Sequence, residues 1–169
     1  MLQVYTGNGK GKTTAAFGLA LRAAGHNWRV LIIQFMKGDS NYGEIKAAKD
    51  IPGLEVYQFG QKTFVQRGNP SQEDLTLAKK GLEFAREAIR SGKYQMVILD
   101  EINVAVDYGL LPLKDVIELA QECPKDIELI FTGRGAKEEI IKLADLVSEI
   151  KEIKHPFQKG VVNRAGIDY

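Results

Sequence analysis

The chain has 169 residues, 44% of them apolar and 27% charged, a length and usage that fit one globular domain and exclude intrinsic disorder as the main state. Its 23 lysines and arginines against 22 aspartates and glutamates leave a formal net charge of +1, so no bulk field favours nucleic acid or an anionic membrane, and any anion site must be local. The single cysteine, Cys123, excludes an intramolecular disulfide; with no charged-then-apolar leader and no apolar run near the roughly 20 residues of a membrane span, a soluble cytoplasmic protein is expected.

Short apolar runs alternate with longer helical patterns, which predicts an α/β fold, a mostly parallel six-stranded sheet with helices on both faces. Strands are expected at Leu2–Tyr5, Val30–Phe35, Leu54–Phe59, Met96–Leu99, Glu128–Phe131 and Val147–Ile150. The first helix should run from Lys12 to Ala24, with Phe17, Leu21 and Ala24 on its buried stripe and Gly25 as its stop. A second begins at Ser71, where Ser71 and Asp74 nearly make a capping box, buries Leu75, Ala78, Leu82, Ala85 and Ile89, and stops at Gly92. Two more are expected at Leu113–Gln121 and Ala136–Leu143, whereas Met36–Tyr42 and Gly60–Pro70 read as long loops, where function tends to concentrate. Residues 1–169 form one domain in this reading, with a C-terminal tail from about residue 154 and no repeat or linker.

Thr6-Gly7-Asn8-Gly9-Lys10-Gly11-Lys12-Thr13-Thr14 lies directly after the first strand and opens the first helix. That placement marks a phosphate-binding loop: glycines let backbone N–H groups turn inward, the helix N-terminus adds positive partial charge, Lys12 adds a full charge, and the Thr13 hydroxyl suits a magnesium ion. The pattern is a variant, with Thr6 in the usual first glycine position and Lys10 inside the loop. Val97-Ile98-Leu99-Asp100-Glu101 is an apolar strand ending in two acids; one of the two should hold magnesium, unless the pair is only a solvated helix start. Thr132-Gly133-Arg134-Gly135, at another strand end, either places a guanidinium on a triphosphate or is a turn with a surface arginine. His26, His155 and Cys123 lack the spacing of metal ligands or a redox motif.

Nearly the whole chain resembles the corrinoid adenosyltransferases of the CobA/CobO/BtuR type. The resemblance rests on Gly7 through Gly18, on Gln34-Phe35-Met36-Lys37-Gly38, on Leu99-Asp100-Glu101, on Thr132-Gly133-Arg134-Gly135 and on Gly166-Ile167-Asp168-Tyr169. It implies a P-loop NTPase fold of RecA-like type and an enzyme that transfers the 5′-deoxyadenosyl group of ATP to the Co(I) of a corrinoid, with triphosphate leaving. It further implies that ATP lies reversed along the loop, held by Gly7, Asn8, Gly9, Lys10, Gly11, Lys12, Thr13 and Thr14. Lys12 and Arg134 would be catalytic, Thr13 and Glu101 would ligate Mg2+ (or Mn2+), and Asp100 would stand behind them.

On the corrinoid side, better-known members carry a phenylalanine and a tryptophan that push off the lower axial ligand. Here Phe64 matches, Val65 stands beside it, and the sole tryptophan, Trp28, lies elsewhere. Some members also cover the site with an N-terminal segment; because this chain opens on its first strand, closure by other means, or incomplete closure, is expected. A homodimer and an electron-donating reductase such as a flavodoxin are implied partners. The residues themselves leave two other readings open: a small P-loop kinase or RecA-like ATPase acting at the terminal phosphate, and a nucleotide-dependent binding module.

Overall fold

Strands that are apolar on both faces need cover on both, and the computed structural model, which describes residues 1–63, 65–161 and 164–168, supplies it with two helical layers. The strands β1 (Leu2–Thr6), β2 (Val30–Phe35), β3 (Leu54–Phe59), β4 (Met96–Asp100), β5 (Glu128–Thr132) and β6 (Leu146–Glu149) form one sheet in the order β3-β2-β4-β5-β1-β6. Every neighbouring pair is parallel, so all strands end at the same edge, and the loops leaving them gather there. The strand that carries the phosphate loop, β1, is separated from the acid-bearing β4 by β5.

Among the described residues six α-helices and a 3-10 turn at Pro156–Lys159 complete the fold: α1 (Lys12–Ala24), α2 (Gly43–Ala48), α3 (Gln72–Arg90), α4 (Ile102–Asp107), α5 (Leu113–Glu122) and α6 (Glu138–Leu143). Side-chain alternation divides the core. Ile32, Ile98 and Ile130 pack with Ala16, Ala20 and Ala23 of α1, while Leu31, Ile33, Leu99 and Phe131 pack on the opposite face with residues of α3 to α6. Each of these large side chains is fully buried, worth about 1.5–3 kcal/mol relative to exposure.

The six strands and four longer helical patterns lie where the sequence places them, within one or two residues. The buried stripe of α1 differs from expectation: Leu21 is 56% exposed, and the sheet-facing residues are Ala16, Ala20 and Ala23. Small side chains let this helix approach the sheet closely, leaving the larger ones at its flanks. Gly25, the expected stop, has right-handed backbone angles, and the left-handed residue is Asn27 at φ 61°. The helices α2 and α4 are additions, each of only six residues, too short to show a periodic pattern. Ser71 and Asp74 form a complete capping box, with Asp74 N–H donating to Ser71 Oγ at 3.1 Å and Ser71 N–H to Asp74 Oδ2 at 3.0 Å. At the sheet edge all four residues of β6 are exposed.

Candidate active site

The phosphate loop is shaped by backbone that only glycine adopts easily, with φ of 97° at Gly7 and 120° at Gly11. A Cβ on Gly7 would collide with the Ile150 carbonyl. Gly9 N–H donates to that same carbonyl at 2.7 Å, so the chain leaving β6 buttresses the loop. Lys12 is buried, and its ammonium donates to the carbonyls of Gly7 at 2.8 Å and Gly9 at 2.6 Å, which curls the loop around it. Burial lowers the Lys12 pKa. No side chain caps the N-terminus of α1, which leaves its N–H groups for an anion.

Asp100 ends β4 and is fully buried, yet four groups donate to its two oxygens. Thr13 Oγ1 at 2.8 Å and Thr132 Oγ1 at 2.7 Å meet Oδ1, while Lys37 Nζ at 2.8 Å and Gln34 Nε2 at 3.1 Å meet Oδ2. The sheet order explains the convergence: Gln34 lies beside Asp100 on β2, and Thr132 ends β5, the strand that separates β4 from β1. Burial by itself raises the Asp100 pKa, but the Lys37 charge and the donated hydrogen bonds outweigh it and hold the carboxyl below its ordinary value. In turn Asp100 outweighs the effect of burial on Lys37 and keeps that amine above its usual range.

Glu101 follows in left-handed backbone at φ 65°, its N–H donating to Thr132 Oγ1 at 2.9 Å. Its carboxyl accepts no hydrogen bond among the described residues, and burial, then the neighbouring Asp100, raise its pKa. A carboxyl left without a hydrogen-bond donor among the described residues is available to a divalent cation, whose charge would offset its burial. Because Thr13 commits its hydrogen to Asp100, its lone pairs are left for a metal. No cluster of three or more His, Cys, Asp or Glu side chains that could hold a metal ion exists among the described residues.

Arg134 is exposed between Gly133 (φ 124°) and Gly135 (φ 67°). Its guanidinium makes no hydrogen bond or ion pair among the described residues, while its charge reaches both Lys12 and Glu101. Gly133 N–H donates to the Tyr5 carbonyl at 3.1 Å, fixing this loop beside the start of the phosphate loop.

The expected residues Lys12, Thr13, Asp100, Glu101 and Arg134 thus meet at one sheet edge. Asn8 and Thr14 are exposed, and Lys10 turns to the 164–168 segment, where it pairs with Asp168 and donates to the Ile167 carbonyl at 2.7 Å. Phe64 lies outside the described residues. The anchoring roles of Gln34, Lys37 and Thr132 were not read from the sequence, although a glutamine inside an otherwise apolar strand is a visible signal. A cleft of about 530 Å³ at the starts of β1 and β5 contains none of these groups.

Comparison with known proteins gives the family. The family model described as ATP:corrinoid adenosyltransferase BtuR/CobO/CobP matches residues 1–169. The chain is 40% identical over 166 residues to the corrinoid adenosyltransferase of Escherichia coli K12, covering 98% of this chain and 84% of the relative. It is 39% identical to the corrinoid adenosyltransferase CobA of Salmonella typhimurium LT2, with the same shares. It is also 37% identical over 172 residues to the corrinoid adenosyltransferase of a Sinorhizobium species, covering 100% of this chain and 80% of that one. The α/β sheet, the loop after β1 and the whole-chain match agree: this chain belongs to the ATP:corrinoid adenosyltransferase family and is a transferase acting in corrinoid metabolism.

Proposed function

We propose that residues Gly7 to Thr14 hold the triphosphate of ATP and that Lys12 and Arg134 stabilise the charge it gains as it leaves. The observation that carries this reading is the buried Lys12 at the uncapped N-terminus of α1, with Glu101 and Arg134 just beyond the ends of the neighbouring strands β4 and β5. In the reaction the Co(I) of the corrinoid attacks the ribose 5′-carbon; a cobalt–carbon bond forms, the C5′–O bond breaks, and the electron pair departs on triphosphate. Charge therefore develops on the bridging oxygen, and preorganised cations beside it lower the barrier. Thr13 and Glu101 would hold Mg2+ or Mn2+, which supplies further charge neutralisation on the phosphates. Asp100 orients Thr13.

Phe64 is proposed to face the corrinoid, with the loop 60–70 on that side of the site. The remaining expectations, a cytoplasmic homodimer served by an electron-donating reductase, rest on the family. Among the described residues no helix is long and apolar enough to cross a membrane. Product analysis tests the chemistry: incubation with ATP and chemically reduced corrinoid should release inorganic triphosphate. Release of ADP would indicate attack at the terminal phosphate instead.

A further inference from the structure

Asp107 is the last residue of α4, where the carbonyl end of the helix disfavours a carboxylate. Two cations from two different loops offset that. Arg67 Nη2 lies 2.9 Å from Oδ2, and Lys137 Nζ lies 2.7 Å from Oδ1. Lys137 belongs to the segment that follows Arg134, and a Cβ on Gly135 would stand 3.2 Å from Asp107 Cγ, so this loop passes close against the carboxylate. Arg67 belongs to the loop 60–70, and its guanidinium also stands 6.0 Å from the centre of the Tyr108 ring. The other end of that loop is anchored as well: Gln61 Nε2 donates to Ser71 Oγ and to Asp74 Oδ1, each at 3.0 Å. Only residues 62–66 lie between the two anchors.

We propose that Asp107 is a positioning residue that ties the loop 60–70 to the Arg134 loop and so sets how the corrinoid is presented to the phosphate end of the site. The proposal rests on the reading that the loop 60–70 faces the corrinoid. Arg67 is 69% exposed and Lys137 39%, and exposed ion pairs contribute little to folding stability. Their effect falls on where the two loops stand. Since α4 starts immediately after Glu101, one short helix links the proposed metal ligand at its head with both loops at its foot.

The test is a double-mutant cycle of Asp107→Asn and Arg67→Gln, with KM for corrinoid, KM for ATP, kcat and melting temperature measured in each. Each single variant should raise the KM for corrinoid about three- to tenfold, the double variant no further than the worse single one. KM for ATP should stay within about twofold and the melting temperature within a few degrees. Unchanged corrinoid KM, additive effects, or equal losses toward both substrates would overturn the proposal. If Asp107→Asn fails to fold, Arg67→Gln at the exposed end of the pair carries the test by the same KM split. Phe64→Ala separates the two levels. A raised corrinoid KM in Phe64→Ala with none in the cycle rejects the role of Asp107 alone; no change in any of the three variants rejects the placement of the corrinoid loop too.

Discussion

The Lys10 ammonium and the Asp168 carboxylate, 158 positions apart, form an ion pair at the phosphate loop, and the other Asp168 oxygen accepts from the Arg164 backbone N–H at 2.9 Å. The hydrogen bond from Lys10, followed by that from the Arg164 backbone, lowers the Asp168 carboxyl from 3.8 to about 2. A depressed acid contributes its docking above the ordinary value and loses it as pH falls through the lowered one. Asp168 should therefore stay ionised between about pH 3 and 5 in a carboxyl NMR titration, and Lys10→Met should move its midpoint back toward the ordinary carboxylate range. An unshifted midpoint in the unmodified protein would rule out the ion pair in solution.

Lys12→Ala removes both the charge nearest the proposed triphosphate and the two hydrogen bonds that curl the loop. ATP affinity and adenosyl transfer should each fall roughly a hundredfold or more. Calorimetric titration with ATP, alongside turnover from Co(I) corrinoid, reads both losses; near-normal values would exclude this lysine from the phosphate site.

Glu101→Gln should raise the magnesium or manganese concentration needed for half-maximal rate, about tenfold or more, because a neutral amide replaces a charged oxygen ligand. The fold should be unaffected, since the Glu101 carboxylate accepts no hydrogen bond among the described residues. The same metal requirement in variant and parent would shift the ligand role to another oxygen.

Asp100→Asn leaves the Lys37 ammonium, only 19% exposed, without its charge partner. Breaking one side of a buried pair costs about 3–5 kcal/mol, whereas replacing both sides is far milder. Denaturant unfolding should accordingly show a large loss in Asp100→Asn and substantial recovery when Lys37→Met is added. If the double variant is as unstable as the sum of the singles, the pair is not a coupled unit.

Phe64→Ala addresses the corrinoid side. If the ring helps to strip the axial ligand of Co(II), turnover with a weak reductant should fall far more than turnover from Co(I) prepared with a strong chemical reductant. Equal losses in both assays, with a lowered melting temperature, would instead mark a packing role.

Local chemistry, repeated along the chain, makes much of this protein legible in the sequence. Six apolar runs separated by helical patterns specify a parallel sheet, because such strands bury both faces. The glycines and Lys12-Thr13 after β1 mark the proposed phosphate loop, because that backbone and that charge have few other uses at a strand end. Family blocks from Gly7 to Tyr169 narrowed the chemistry further. Tertiary structure alone decided which polar groups act together. Gln34, Lys37, Thr13 and Thr132 are scattered over about a hundred positions of sequence, and they meet on Asp100 only because β4 is seated between β2 and β5. The burial of alanines rather than Leu21 in α1 was likewise hidden, since helical periodicity permits more than one stripe and only the approach of the sheet selects one. The meeting of Arg67 and Lys137 on Asp107 was hidden too: loops carry no periodic signal, and the loop after β3 reaches α4, beyond β4, across the intervening β2 only in the folded sheet.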